Sequence, residues 1–254
     1  MSSTPINQLI TNLEKSKSDN LDYGLKILPN GLTILFISDL KANFSSAAMG
    51  VNVGSLVDSL DVPGLAHFCE HLLSMGTEKY PSENDYQDYL SKNSGLSNAF
   101  TAPDRTVYYF QVSNEGFEGA IDRFAQFFIS PTFNEGSVER EINAIDNEFS
   151  KNLNNDGWRF MQLKYNDSKK DSVFNKFSTG NKSTLTLPNI RERLIEFYKK
   201  YYTSEIMYLC VYSKKPMDEL VKLVEDLFCK VPKIEKFEKP KYDRQEDILR
   251  FLSQ

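Results

Sequence analysis

The sequence predicts an α+β fold: one sheet, mainly antiparallel, with helices packed on it. Three observations lead there. Short β-branched and aromatic runs occur both next to one another and between helical stretches, which suits an α+β layer better than a wound parallel sheet. An Asn30-Gly31 pair sits between two such runs and marks a hairpin. Longer stretches carry apolar residues three and four apart, the period of a helix with one buried stripe.

Residues 1–20 are polar and read as a loose tail. Leu25–Leu28 and Leu32–Ile37 form the arms of the hairpin around Pro29-Asn30-Gly31, and Ala47–Val53 is a further strand. A helix follows Pro63, from about Gly64 to Met75. Pro81-Ser82-Glu83 opens another, with Ser82 placed as its cap and its end near Lys92. Ser97–Thr101 and Thr106–Val112 read as paired strands, and Phe117–Ser130 as an amphipathic helix stopped by Pro131. A long helix then runs from Glu135 to about Leu153, its apolar stripe being Val138, Ile142, Ile145 and Phe149. Trp158–Tyr165 is helical, 166–188 is a polar loop, Ile190–Tyr202 is a helix, Ile206–Tyr212 a strand and Met217–Phe228 a helix. Lys233–Arg244 is a charged, proline-containing connector.

Composition narrows the function. Hydrophobic residues at 40% and aromatics at 13% of 254 are enough for a real core. The aromatic clusters Tyr108-Tyr109-Phe110, Phe127-Phe128 and Tyr201-Tyr202 read as core and interface filler. A net charge of −5 gives no basic footprint for nucleic acid. No apolar run approaches the ~20 residues of a membrane span. The N-terminus has no secretory pattern, and no arginine precedes Arg105, which argues against a mitochondrial presequence. Cys69, Cys210 and Cys229 are odd in number and scattered, as for free thiols in a reducing compartment, so a cytoplasmic location is expected.

The chemistry concentrates in Gly64-Leu65-Ala66-His67-Phe68-Cys69-Glu70-His71-Leu72-Leu73, which holds both histidines of the chain. On a helix, His67, Glu70, His71 and Ser74 share one side, with Leu65, Ala66, Phe68, Cys69, Leu72 and Leu73 on the other. Two imidazoles one turn apart can reach one ion, and His-x-x-Glu-His is the inverted form of the zinc-protease signature. Glu70, beside the ion, is placed to take a proton from water that zinc acidifies to a pKa of about 7. A merely solvated helix face could draw on 30 basic and 35 acidic residues, yet both histidines are here. Cys69 falls on the apolar side and reads as a small core residue. A hydrolytic zinc needs a third protein ligand and one open position. Glu141 and Glu148, seven apart along the flank of the long helix's stripe, are the candidates: one to bind the ion, the other to hold a histidine's second nitrogen. Spacing leaves open which does which.

From Leu28 to about Pro232 the chain resembles the N-terminal catalytic domain of the insulin-degrading branch of the pitrilysin-type inverzincins. The resemblance rests on Pro63 to Leu73 with Cys69 inside it, Met75-Gly76-Thr77-Glu78-Lys79-Tyr80-Pro81, Tyr89-Leu90-Ser91-Lys92, Ser97-Asn98-Ala99-Phe100-Thr101, Glu139-Arg140-Glu141-Ile142-Asn143-Ala144 and Phe177-Ser178-Thr179-Gly180-Asn181. It implies that His67, His71 and Glu148 hold one zinc ion, that Glu70 is the general base, and that Glu141 is the supporting carboxylate of the catalytic set. It also implies that Asn98 and Ala99 lie on a strand edge that receives the peptide substrate, and that Trp158 is an aromatic near the site. Full-length members are far longer, with homologous domains in two halves around a chamber, and the other domains help grip the substrate. The expected organisation is a flexible tail (1–20), one metallopeptidase domain (21–232), and a connector with the start of a second domain (233–254). The expected function is therefore a zinc metalloendopeptidase acting on small or unfolded peptides. The competing expectation is a zinc-binding but catalytically weak module that needs a complementary half or partner chain. A purely structural zinc is disfavoured because such sites are closed by four ligands, usually with cysteine. Surface left open by absent domains predicts association with complementary domains or with other copies.

Overall fold

A computed structural model describes residues 8–170 and 172–240. Six strands form one sheet: β1 (Asp22–Ile27), β2 (Thr33–Ser38), β3 (Phe44–Val51), β4 (Leu96–Thr101), β5 (Thr106–Ser113) and β6 (Met207–Ser213). Their order across the sheet is β1-β2-β6-β3-β5-β4. Every pairing is antiparallel except β2 with β6. The helices are α1 (Leu65–Leu73), α2 (Asp85–Lys92), α3 (Phe117–Ile129), α4 (Glu135–Asn152), α5 (Asp156–Asn166), α6 (Lys182–Leu185), α7 (Ile190–Tyr201) and α8 (Met217–Phe228). The α+β class read from the sequence is the observed one.

Alternation along the strands builds the core. Ile34 and Phe36 on β2, Ala47, Met49 and Val51 on β3, Tyr108, Phe110 and Val112 on β5, and Leu209 and Val211 on β6 are all buried. Against them pack Phe68 and Leu72 of α1, Phe124 and Phe128 of α3, Leu194 of α7 and Val224 of α8, in one cluster. Phe124 and Phe128 meet edge to face at 5.3 Å, and Phe124 meets Phe110 likewise at 5.2 Å. Each fully buried side chain of this size contributes roughly 1.5–3 kcal/mol. The aromatic clusters are mostly core, as expected, although Tyr109 and Tyr201 are only partly buried.

Several boundaries shift from expectation. α2 starts at Asp85, with Asn84 as its N-cap residue. Ser82 does not cap it; its carbonyl accepts from the Asp85 N–H at 3.2 Å in a preceding turn, and Glu83 is drawn off into an ion pair with Arg140 of α4. The third strand begins three residues early, at Phe44, because its register against β5 extends from Phe44↔Ser113. The polar loop contains α6, whose cap residue Asn181 and Thr184 bond reciprocally. The tail is anchored at Ile10, which exchanges two backbone hydrogen bonds of 2.8 Å with Leu25. Residues 1–7 of the tail and 241–254 of the connector lie outside the described residues.

Candidate active site

The site begins with how α1 is started. Gly64 precedes the helix at φ 94°, a conformation that costs little without a Cβ. No neighbouring side chain caps the helix. Instead the buried Asp58 carboxylate accepts from the Gly64 N–H at 3.0 Å and the Ala66 N–H at 2.9 Å. Burial pushes its pKa up to about 7, against the pull of those two N–H groups. The apolar side of α1 is buried, including Cys69, whose thiol burial drives upward in pKa. The polar side faces a cavity of about 790 Å³.

On that side the imidazoles converge. His67 Nδ1 lies 2.6 Å from the Thr179 carbonyl, and His71 Nδ1 lies 2.9 Å from Glu141 Oε2. A carbonyl or carboxylate oxygen only accepts, so in the neutral rings each Nδ1 carries the proton and each Nε2 carries a lone pair. The two Nε2 atoms are 3.2 Å apart. Two lone pairs facing each other call for a cation between them. Glu148 Oε2 completes the triangle at 3.6 Å from His67 Nε2 and 3.7 Å from His71 Nε2. Among the described residues, His67, His71 and Glu148 are a group whose ligand atoms all lie within 4.8 Å of one another. Zinc bonds of about 2.0–2.2 Å in a tetrahedron set donor atoms roughly 3.3–3.6 Å apart, so this donor set fits a zinc-sized ion with a fourth direction left over.

Electrostatics agree. Burial alone pulls the His71 pKa down, but the Glu141 and Glu148 carboxylates outweigh it and hold it up at about 9. The imidazolium likewise keeps Glu148 below the usual carboxylate range. Glu70, one turn after His67 and next to His71 in the chain, is pushed up by burial while the Thr101 hydroxyl, donating to Oε2 at 2.5 Å, works against it. The site favours positive charge at its centre and a carboxylate of raised basicity beside it.

Among the described residues β4 is an edge strand, hydrogen-bonded only to β5, with Asn98 opposite Tyr109 and Ala99 opposite Tyr108. The Ala99 N–H is met by the Asn98 side-chain oxygen at 2.9 Å rather than by a strand. His67, Glu70, His71, Asn98, Ala99, Glu148 and Trp158 all line the one cavity. Glu141 stands behind it, against His71. Of the two glutamates between which spacing left the choice open, Glu148 lies beside both Nε2 atoms and Glu141 lies at the His71 Nδ1. Sequence reasoning missed Asp58, Thr101 as the partner of Glu70, and Thr179. Thr179 acts through its backbone carbonyl, which no side-chain pattern announces.

The family model described as Insulinase (Peptidase family M16) matches residues 33–169, and that of the Peptidase M16 inactive domain matches residues 189–252. Insulin-degrading enzyme of Mus musculus is 45% identical over 99% of this chain, which covers 26% of that protein. A putative zinc protease of Schizosaccharomyces pombe, mug138, is 45% identical over 94% of this chain and 25% of its own length. The crystal structure of pitrilysin superposes with a TM-score of 0.88 at 36% identity, over 92% of this chain and 25% of that one. The chain thus spans about a quarter of the length of the curated relatives it matches.

Proposed function

The chain belongs to the insulinase family of peptidases, M16, and on that premise we propose that it is the metal-binding catalytic part of a zinc-dependent metalloendopeptidase. The observation that carries this reading is the triangle of His67 Nε2, His71 Nε2 and Glu148 Oε2 with Glu70 beside it. These three side chains would hold zinc, with Glu141 fixing the His71 ring through Nδ1. When bound, zinc would supply Lewis acidity toward water and the scissile carbonyl. Glu70 takes the proton from the attacking water and returns it to the leaving amine, a task suited to a carboxylate whose basicity burial has raised. Thr101 keeps Glu70 aimed. The free edge of β4 at Asn98–Ala99 receives the peptide as an added strand, after the Asn98 side chain releases the Ala99 N–H. Trp158, which also lines the cavity, packs against the bound chain. Three unpaired cysteines suit a reducing compartment, and we place the protein in the cytosol.

Metal analysis should find about one zinc per chain, lost on His67→Ala or Glu148→Ala. A quenched fluorogenic peptide should be cut, and Glu70→Gln should keep the zinc while lowering cleavage at least about 100-fold. A second reading keeps the zinc but gives the chain weak activity until a complementary half joins it. One observation favours it: α5, which walls the cavity through Trp158, has no buried residue and exposes Phe160 at 72% and Leu163 at 61%. Zinc-loaded protein that cuts only after a C-terminal half is added decides for this second reading.

A further inference from the structure

We propose that Lys176 and Asp58 are positioning residues, forming a brace that fixes the His67 ring by tying three separate parts of the site to segment 54–58. This inference rests on the metal reading above, but it concerns how the chain prepares the ligand rather than the ligand itself.

The first tie is to α1. Asp58 accepts from the Gly64 and Ala66 N–H groups, which sets where the helix begins, two residues before His67. The second is to the loop carrying Thr179. Lys176 Nζ donates to the Leu56 carbonyl at 2.8 Å and to the Asp58 carbonyl at 2.7 Å. Three residues on, the Thr179 carbonyl holds His67 Nδ1. Between loop and helix start, Gly64 and Gly180 are stacked so closely that a Cβ on Gly64 would overlap the Gly180 backbone, and Gly180 is itself at φ +76°. The third tie is to the hairpin beyond β4: Ser55 N–H donates to Ala102 O at 3.1 Å and Leu56 N–H to Pro103 O at 2.9 Å. Thr101, the partner of Glu70, is the residue before that hairpin.

One short segment therefore indexes the metal helix, the carbonyl that sets the His67 tautomer, and the strand that holds the base. Lys176 is the pivotal member because its two bonds cross 120 and 118 residues of sequence. An ammonium has donors for both carbonyls at once. Its loss frees the Thr179 loop from the helix start. Partial burial holds its pKa down.

The test uses the full chain, the substitutions Lys176→Met and Lys176→Arg, and two readouts. In the metal-free protein, the ring N–H of His67 is followed by NMR; with two histidines in the chain, His67→Ala assigns it. Zinc affinity is measured by chelator competition. Lys176→Met is expected to remove or broaden the ring N–H signal and to weaken zinc about 10–100-fold, the range for losing an outer-sphere partner of a ligand. Lys176→Arg, which keeps charge and donors, should restore part of both. Val224→Ala, buried in α8 far along the chain, should lower thermal stability yet change neither readout. A Lys176→Met protein that retains the signal and binds zinc within about 3-fold of wild type overturns the brace. If Lys176→Met does not fold, Lys176→Gln, with one donor group left, is read the same way and should fall between. If wild type takes up no zinc, the metal reading fails, and the ring N–H readout alone still decides the brace.

Discussion

His71 is held from both ends: Glu141 accepts at Nδ1 and Glu148 stands by Nε2. Glu141→Gln keeps an acceptor but loses the charge, so the zinc affinity should fall about 10–100-fold, measured by chelator competition, while peptide cleavage at saturating zinc survives in part. Asp58 offers a pH test. Its folded pKa, raised by burial to about 7, stands above the ordinary 3.8, so the folded state binds the proton more tightly than the unfolded state. Stability therefore falls as pH climbs from 3.8 toward about 7 and is flat beyond. Asp58→Asn removes this titration. Urea unfolding at pH 5 and pH 7.5 should show wild type losing stability relative to the variant across that window; a wild type that gains instead would mean that the two N–H groups outweigh the burial.

At the scale of elements, legibility followed side-chain pattern. α1 and α4 were readable because their apolar stripes repeat at three and four while His67, His71, Glu141 and Glu148 interrupt the polar side. The strand pair β4–β5 was readable from its alternation and its short turn. What was not readable depends on backbone groups and distant partners: the Thr179 carbonyl at His67, the shift of the α2 start to Asp85, and the anchoring of Ile10 to β1. The edge of β4 carries its own prediction. Because the Ala99 N–H points to the Asn98 side chain and not into the ladder, Ala99→Pro removes a donor that β5 does not use. We expect KM for a peptide to rise about 10-fold or more, with zinc content unchanged, if an incoming strand pairs there. Equal KM values would place the peptide elsewhere in the cavity.

At the scale of the whole molecule, apolar residues of and beside α5 face outward: Leu153, Trp158, Phe160 and Leu163 are all exposed. Such a patch predicts association. Sedimentation should show self-association, or binding of a complementary half, that Phe160→Asp with Leu163→Asp reduces at least several-fold while α1 and its zinc remain intact. A further consequence lies in the placement of β6. Among the described residues it is the last strand in sequence, yet it sits mid-sheet, bonded to β2 on one side and β3 on the other. Until Met207–Ser213 leaves the ribosome, the nascent polypeptide owns two unjoined pieces of sheet and no closed interior. Histidines made early in synthesis must wait for a segment made late, so metal uptake during translation should be a late event.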